Sequence, residues 1–157
     1  MDVWYNYAHW LHSVQGEAER ARALLPRATQ ALPSQARLGL MAKFAALEYT
    51  SARARNPELG RTMFEGLLAT FPRRLDLWNQ LLDHEDDPAA IRDVFDRATR
   101  VPGLKARAAK KWFKRWADWE DRHGDARSRD RVTARAAEWV RAKEAAKASK
   151  GDEDDDE

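Results

Sequence analysis

The histidines and a recurring glutamate are the side chains here most able to do chemistry. His9 and His12 stand three residues apart. On a helix that spacing brings two imidazoles to one side of a turn, within reach of one metal ion. A protein metal site needs three or four ligands, and no carboxylate stands at a matching spacing, so the pair reads as structural. His84 falls where large apolar side chains recur, and reads as a core histidine rather than a catalytic base. His123 precedes Gly124 at a helix end, where an imidazole can meet the last carbonyls. Glu48, Glu85 and Glu120 lie about one repeat apart, too far for a carboxylate dyad. Each reads as bonding groups within its own repeat or the next.

The chain contains no cysteine. That excludes disulfides, thiolate zinc sites, iron–sulfur clusters and a cysteine nucleophile, and it fits a reducing compartment, cytosolic or nuclear. No glycine-rich phosphate loop, nucleophile elbow or H-E-x-x-H motif is present. The sequence therefore assigns no catalytic, cofactor-binding or metal-ligating residue and reads as a non-enzyme.

Binding is the chemistry that remains. Lys105, Arg107, Lys110, Lys111, Lys114 and Arg115 form a dense basic cluster. On one helix, Arg107, Lys110, Lys111 and Lys114 share a face, while Phe113, Trp116 and Trp119 take another toward the core. Such a face is either a contact for an RNA backbone or a solvated helix surface. Arg127, Arg129 and Arg131 add charge nearby, and Arg73-Arg74, after Pro72, is a second and weaker candidate. Trp112 sits one step off the core line. It is either a partner-facing aromatic or a cap on a groove.

The balance of charge is uneven. Residues 1–100 carry 13 basic and 13 acidic side chains, whereas residues 101–150 carry 15 and 7. The stretch after Gly151 is wholly acidic. A neutral body, a basic quarter and an acidic tail mark interaction surfaces. With 43% hydrophobic and 34% charged residues, the chain is too apolar for full disorder and too charged for a membrane protein. No apolar run approaches the ~20 residues that span a bilayer, and no signal-peptide core follows Met1.

Helix-forming residues dominate, and no segment alternates like a strand. Proline and glycine punctuate eight helical segments, about Asp2–Ser13, Glu17–Ala31, Ser34–Ala54, Pro57–Phe71, Leu75–His84, Pro88 to Val101, Leu104–Arg122 and Asp125–Lys147. Ser34, Asn56 and Asp87 are expected N-caps, and Asp125 opens the last helix. Pro26 is expected to bend or break the second.

These segments pair into a repeat. Trp4, Tyr7 and Trp10 lie three apart, and a shift of about three dozen residues gives Met41, Phe44 and Leu47, then Trp78, Leu81 and His84, then Phe113, Trp116 and Trp119. The second helices align as Ala21–Ala28, Gly60–Leu67 and Ile91–Ala98, each closed by a proline, with a degraded fourth copy from Asp130. A single amphipathic pair cannot cover its own apolar face, whereas stacked pairs make a continuous core. The expected core is Trp4, Tyr7, Trp10, Phe44, Leu47, Phe64, Trp78, Leu81, Phe95, Phe113, Trp116 and Trp119. Small residues such as Ala21, Ala28 and Ala98 allow close helix approach.

Trp-x-x-Tyr-x-x-Trp, a glutamate in later units, then Arg-x-hydrophobic-aromatic-acidic-Arg-Ala and a closing proline resemble the half-a-TPR (HAT) repeat. Ile91-Arg92-Asp93-Val94-Phe95-Asp96-Arg97-Ala98 matches it closely. Over residues 35–143, and most strongly over 71–125, the chain is similar to the HAT region of a long nucleolar RNA-processing factor that also carries S1 repeats. Phe113-Lys114-Arg115-Trp116, with Glu120 and His123-Gly124, is the most specific part. No S1 repeat is present, so the chain is a fragment, a truncated gene model or a separate short homologue.

The resemblance implies an all-α, right-handed α-α superhelix of about four helix pairs, with units near 1–33, 34–72, 73–102 and 103–148 and a disordered acidic tail at 149–157. It implies a non-catalytic scaffold of ribosomal RNA processing and small-subunit processome assembly in the nucleus and nucleolus, without cofactor, membrane or small-molecule substrate. The implied partners are protein subunits of a pre-ribosomal particle and pre-ribosomal or small nucleolar RNA. A scaffold for splicing or mRNA 3′-end processing and a pure protein–protein adaptor are the alternatives. Trp116→Ala is expected to cost ~3–5 kcal/mol if Trp116 is core, and an unchanged melting midpoint would overturn that placement.

Overall fold

The computed structural model describes residues 2–153, with the side chains of residues 3–149. Among the described residues there is no strand. The helices are α1 (Asp2–His9), a π-helical continuation (Trp10–Gln15), α2 (Ala18–Arg22), α3 (Leu24–Ala31), α4 (Ser34–Thr50), α5 (Pro57–Thr70), α6 (Leu75–His84), α7 (Pro88–Thr99), α8 (Ala106–His123) and α9 (Ala126–Glu153). They divide into two compact units, Met1–Gly103 and Leu104–Glu157.

Local sequence sets most helix ends. Asn56 and Asp87 cap α5 and α7 through their side chains, accepting from the amides of Leu59 and Ala90, and each is followed by a proline at the first helical position. Asp125 accepts from the Ser128 amide at 2.8 Å, while Ser128 Oγ accepts from the Asp125 amide at 2.9 Å, a reciprocal cap for α9. Gly16 ends the π-helix at φ 76°, its amide and that of Glu17 both reaching the Leu11 carbonyl.

The second expected helix is broken at Ala23 into α2 and α3. Pro26 lacks the amide that the Arg22 carbonyl would need, and the break falls where that bond is lost. Ser34 is not an N-cap: Pro33 holds that place in extended geometry and Ser34 is already helical. The third helix stops at Thr50 rather than Ala54, because Ser51 Oγ takes the Ala54 amide at 3.1 Å and donates to the His12 carbonyl at 3.2 Å. The last helix continues through Glu153, and residues 154–157 of the acidic tail lie outside the described residues.

Unit Met1–Gly103 stacks successive helical hairpins. Ala8, Leu11, Ala21, Leu24, Ala28, Leu40, Phe44 and Leu47 form one buried cluster, with Trp4, Tyr5 and Met63 packed partly buried against it. Further along, Phe64, Leu77, Trp78, Leu81 and Phe95 are buried. Tyr7 and Trp10 depart from the expected core, at 44% and 46% exposed. The first repeat is offset by one residue: Ala8 and Leu11, not Tyr7 and Trp10, occupy the places of Phe44 and Leu47. The same offset puts His12 where later units carry Glu48, Glu85 and Glu120.

Each buried glutamate of this unit is met by an arginine of the preceding second helix. Glu48, with a side chain 3% exposed, takes Arg22 through two bonds of 2.8 Å, and His12 Nε2 lies 3.2 Å away. Glu85 takes Arg61 the same way, with the Tyr49 hydroxyl at 3.3 Å and the amides of Asp86 and Asp87 at 3.1 and 3.2 Å. Burial alone would raise the Glu85 carboxyl, but Arg61 and those two amides outweigh it and hold it below the usual carboxylate range. Burial and the Glu85 charge push the Tyr49 phenol well up. Gly60 makes this possible, since a Cβ there would lie 2.6 Å from the Tyr49 ring.

In unit Leu104–Glu157, α8 and α9 form one hairpin. Trp112, Phe113, Trp116 and Val132 are buried, whereas Trp119, expected in the core, is half-buried. Phe113 and Trp116 stack with centroids 6.4 Å apart. Trp116 Nε1 donates to the buried Glu120 at 3.3 Å. A Cβ on Gly124 would overlap the Glu120 carboxylate and the Ser128 hydroxyl, so a larger residue in this turn would displace both side chains.

Two stability measurements follow. Gly60→Ala drives a methyl into the Tyr49 ring and is expected to cost about 1–3 kcal/mol in urea unfolding. Because the folded Glu85 carboxyl sits below its unfolded value of about 4.3, the unfolded state binds more protons in the window between the two. Its stabilisation is complete above about pH 5 and is lost as pH falls through the folded value. Glu85→Gln is expected to lower stability at pH 7 and to flatten that acid loss. An equally steep loss in the variant would assign it to other carboxylates.

Candidate interaction surfaces

The basic face of α8 is built by helical spacing. Arg107, Lys110, Lys111 and Lys114 stand at i, i+3, i+4 and i+7 and are all exposed. Ala109, Trp112, Phe113 and Trp116 turn the opposite side of the helix inward. Among the described residues, none of the four cations pairs with a carboxylate.

The charges in the N-terminal half of α8 run against its own dipole, while its last turn carries Arg122 and His123. Lys105, Arg107, Lys110 and Lys111 crowd the N-terminal half, the first turn has no acidic residue, and Asp118, Glu120 and Asp121 stand toward the C-terminus. A helix gains from anions at its N-terminus and cations at its C-terminus, by roughly 0.3–1 kcal/mol each. Folding of α8 is therefore not what this arrangement favours. An anion laid along it would satisfy both the side chains and the helix end.

The other basic candidates stand differently. Arg115 is half-buried and already engaged. Arg73 is exposed, but Arg74 is held bidentately by Asp76 at 2.9 and 2.8 Å. That bond to Arg74 draws the Asp76 carboxyl below its usual range and leaves Arg74 little net charge for a ligand. Arg129 lies 3.2 Å from Asp121 and is similarly compensated. Trp112, left open by the sequence, is buried at 4% exposure and is not a partner-facing aromatic.

The histidines do not converge. His9 is exposed beside Tyr5, with ring centroids 6.0 Å apart, while His12 is buried against Glu48. His84 stacks on Tyr49 and Phe64, and burial lowers its imidazolium pKa. His123 Nδ1 meets the Trp119 carbonyl at 3.0 Å, at the helix end where it was expected. Among the described residues, no group of three or more His, Asp or Glu side chains is placed to hold a metal ion. No described helix is long and apolar enough to cross a membrane.

Sequence reasoning missed the arginine partners of the repeated glutamates. Arg22 and Arg61 stand at the same position of successive second helices, one residue after Ala21 and Gly60, and that shared place was the available signal. The one-residue offset of the first repeat is hidden in the sequence because its aromatics Tyr7 and Trp10 flank the buried positions Ala8, Leu11 and His12.

Stacked helical hairpins and buried glutamate–arginine pairs define an all-α helical-repeat protein. No family model matches the chain. "rRNA biogenesis protein rrp5" of Schizosaccharomyces pombe is 43% identical to it over 141 residues, 88% of this chain and 8% of that protein. "Protein RRP5 homolog" of Homo sapiens is 33% identical over 144 residues, 90% of this chain and 7% of that protein. The Arabidopsis thaliana "rRNA biogenesis protein RRP5" is 30% identical over 138 residues, 83% of this chain and 7% of that protein. The chain is homologous to a region of RRP5 and spans less than a tenth of the length of these relatives.

Reversing Arg107, Lys110, Lys111 and Lys114 to glutamate is expected to leave the urea midpoint unchanged or to raise it, since acids suit the N-terminal turns of a helix. A clear fall in that midpoint would mean that the four cations hold the fold.

Proposed function

We propose that the chain is a non-catalytic helical-repeat scaffold of ribosomal RNA processing. It acts in the nucleolus, in assembly of the small-subunit processome, with protein subunits of the pre-ribosomal particle as partners. The identity of 43% across 88% of the chain to a protein named for rRNA biogenesis carries this reading. The basic face of α8 gives it a physical form: Arg107, Lys110, Lys111 and Lys114 contact the phosphate backbone of pre-ribosomal RNA, releasing counterions as they do. Arg73 is an auxiliary contact. Helical hairpins with boundaries near residues 33, 72 and 102 are the repeating units, and the α8–α9 hairpin carries the basic face.

Filter binding of the chain to a pre-ribosomal RNA fragment over a salt series tests this. Four phosphate contacts predict a plot of log affinity against log salt whose slope becomes shallower by about 3 when all four cations are reversed. RNA binding with an unchanged slope would place the contact elsewhere. No measurable binding by the parent chain would leave a protein-only adaptor.

A further inference from the structure

The first helix carries a surface that the RNA reading does not use. Val3, Tyr7, Trp10 and Val14 are 81%, 44%, 46% and 48% exposed. Their spacing of four, three and four residues puts them in one row along α1 and its π-helical continuation. Tyr7 and Trp10 stack on each other with centroids 6.1 Å apart. In the later repeats the same row is Gly39, Lys43, Ala46 and Thr50, then Asp76, Gln80, Asp83 and Asp87. Of these three rows, only the first is filled with large apolar side chains.

The row also lies in the longest uncharged run of the chain. Residues 3–15 contain no Lys, Arg, Asp or Glu, in a sequence that is 34% charged. Aromatic enrichment with loss of charge is the composition of an interface core. The absence of any lysine or arginine in that run argues against nucleic acid, which needs cations to hold its phosphates.

The row is symmetric about its own centre, both in spacing and in residue type: valine, aromatic, aromatic, valine. We propose that it is a self-association surface that takes a second copy of this chain, the two helices running antiparallel. A two-fold axis between Ala8 and His9 sets Tyr7 of each copy against Trp10 of the other, and Val3 against Val14. A two-fold interface demands such self-complementarity, since one patch must serve as both halves.

The size of the patch sets the strength. With full side-chain areas of ~150–250 Å² for the aromatics, the four residues expose on the order of 400 Å² per copy. Two copies then bury about 800 Å² through them, below the ~1,200–2,000 Å² of stable complexes and in the range of weak dimers. A dissociation constant of ~10–100 μM is expected.

Sedimentation equilibrium of the whole chain from ~5 to ~500 μM reads this directly. The weight-average mass is expected to rise from 18.1 kDa toward twice that value. Tyr7→Glu alone is expected to remain monomeric with its helical circular dichroism intact, because the side chain is on the surface. An equimolar mixture of the Tyr7→Glu and Trp10→Lys variants is expected to associate at low salt more than either variant alone, since antiparallel pairing keeps one Tyr7–Trp10 contact and sets the new acid against the new base. A parallel pair would keep the new acid and the new base apart. A parent chain that stays monomeric throughout, a Tyr7→Glu variant that dimerises like the parent, or a mixture that associates no better than the single variants at low salt would each overturn the proposal.

Discussion

A buried carboxylate at the end of a first helix constrains the repeat stack more tightly than any apolar contact does. Glu48 and Glu85 are nearly inaccessible, and a buried charge without a partner costs several kcal/mol. Each finds its partner in an arginine of the preceding hairpin, bound through two parallel bonds. Leucine and phenylalanine pack almost as well after a slip of one helical turn, but a bidentate pair does not. A slipped stack would bury the carboxylate alone, so the ion pairs fix a register that the hydrophobic seam would leave loose. Gly60 belongs to the same constraint. It lets the Tyr49 ring lie against the backbone of α5, and the Tyr49 hydroxyl completes the ring of donors about Glu85.

That division of labour decides what was legible in the sequence. Helices α5, α6 and α7 were readable almost to the residue, because Asn56-Pro57 and Asp87-Pro88 encode their starts locally and the closing prolines bound their ends. Phe44, Leu81, Phe95 and Trp116 were readable as core because large apolar side chains at helical spacing have few other uses. The first repeat was misread for a physical reason. Its buried positions are Ala8, Leu11 and His12, while its aromatics Tyr7 and Trp10 face outward, so size and burial point to different registers. The glutamates were visible as a recurrence, but their arginines lie 24 to 26 residues away on another helix. Only the fold brings them together.

The binding face was legible for the opposite reason. Arg107, Lys110, Lys111 and Lys114 needed nothing beyond helical periodicity to be placed on one side of α8. The structure supplied the sorting of the remaining cations. Arg74 and Arg129 have acidic neighbours, Arg115 is engaged, and the four on α8 have no carboxylate partner among the described residues. A count of basic residues treats all of these alike. Compensation by nearby carboxylates separates charge that holds the fold from charge available to a ligand.

The first repeat unites its exceptions in one short segment. His12 replaces the repeat glutamate and lies beside Glu48, the carboxylate of the next unit, so the position accepts a group that complements an acid rather than another acid. A carboxylate at position 12 would face Glu48 across about the same distance, with Arg22 shared between two charges. The π-helical turn that carries His12 also carries Trp10 and Val14, and insertions of this kind often re-aim side chains where a surface is used. One local change in backbone therefore accompanies both the exchange of the repeat glutamate for His12 and an outward row of apolar side chains.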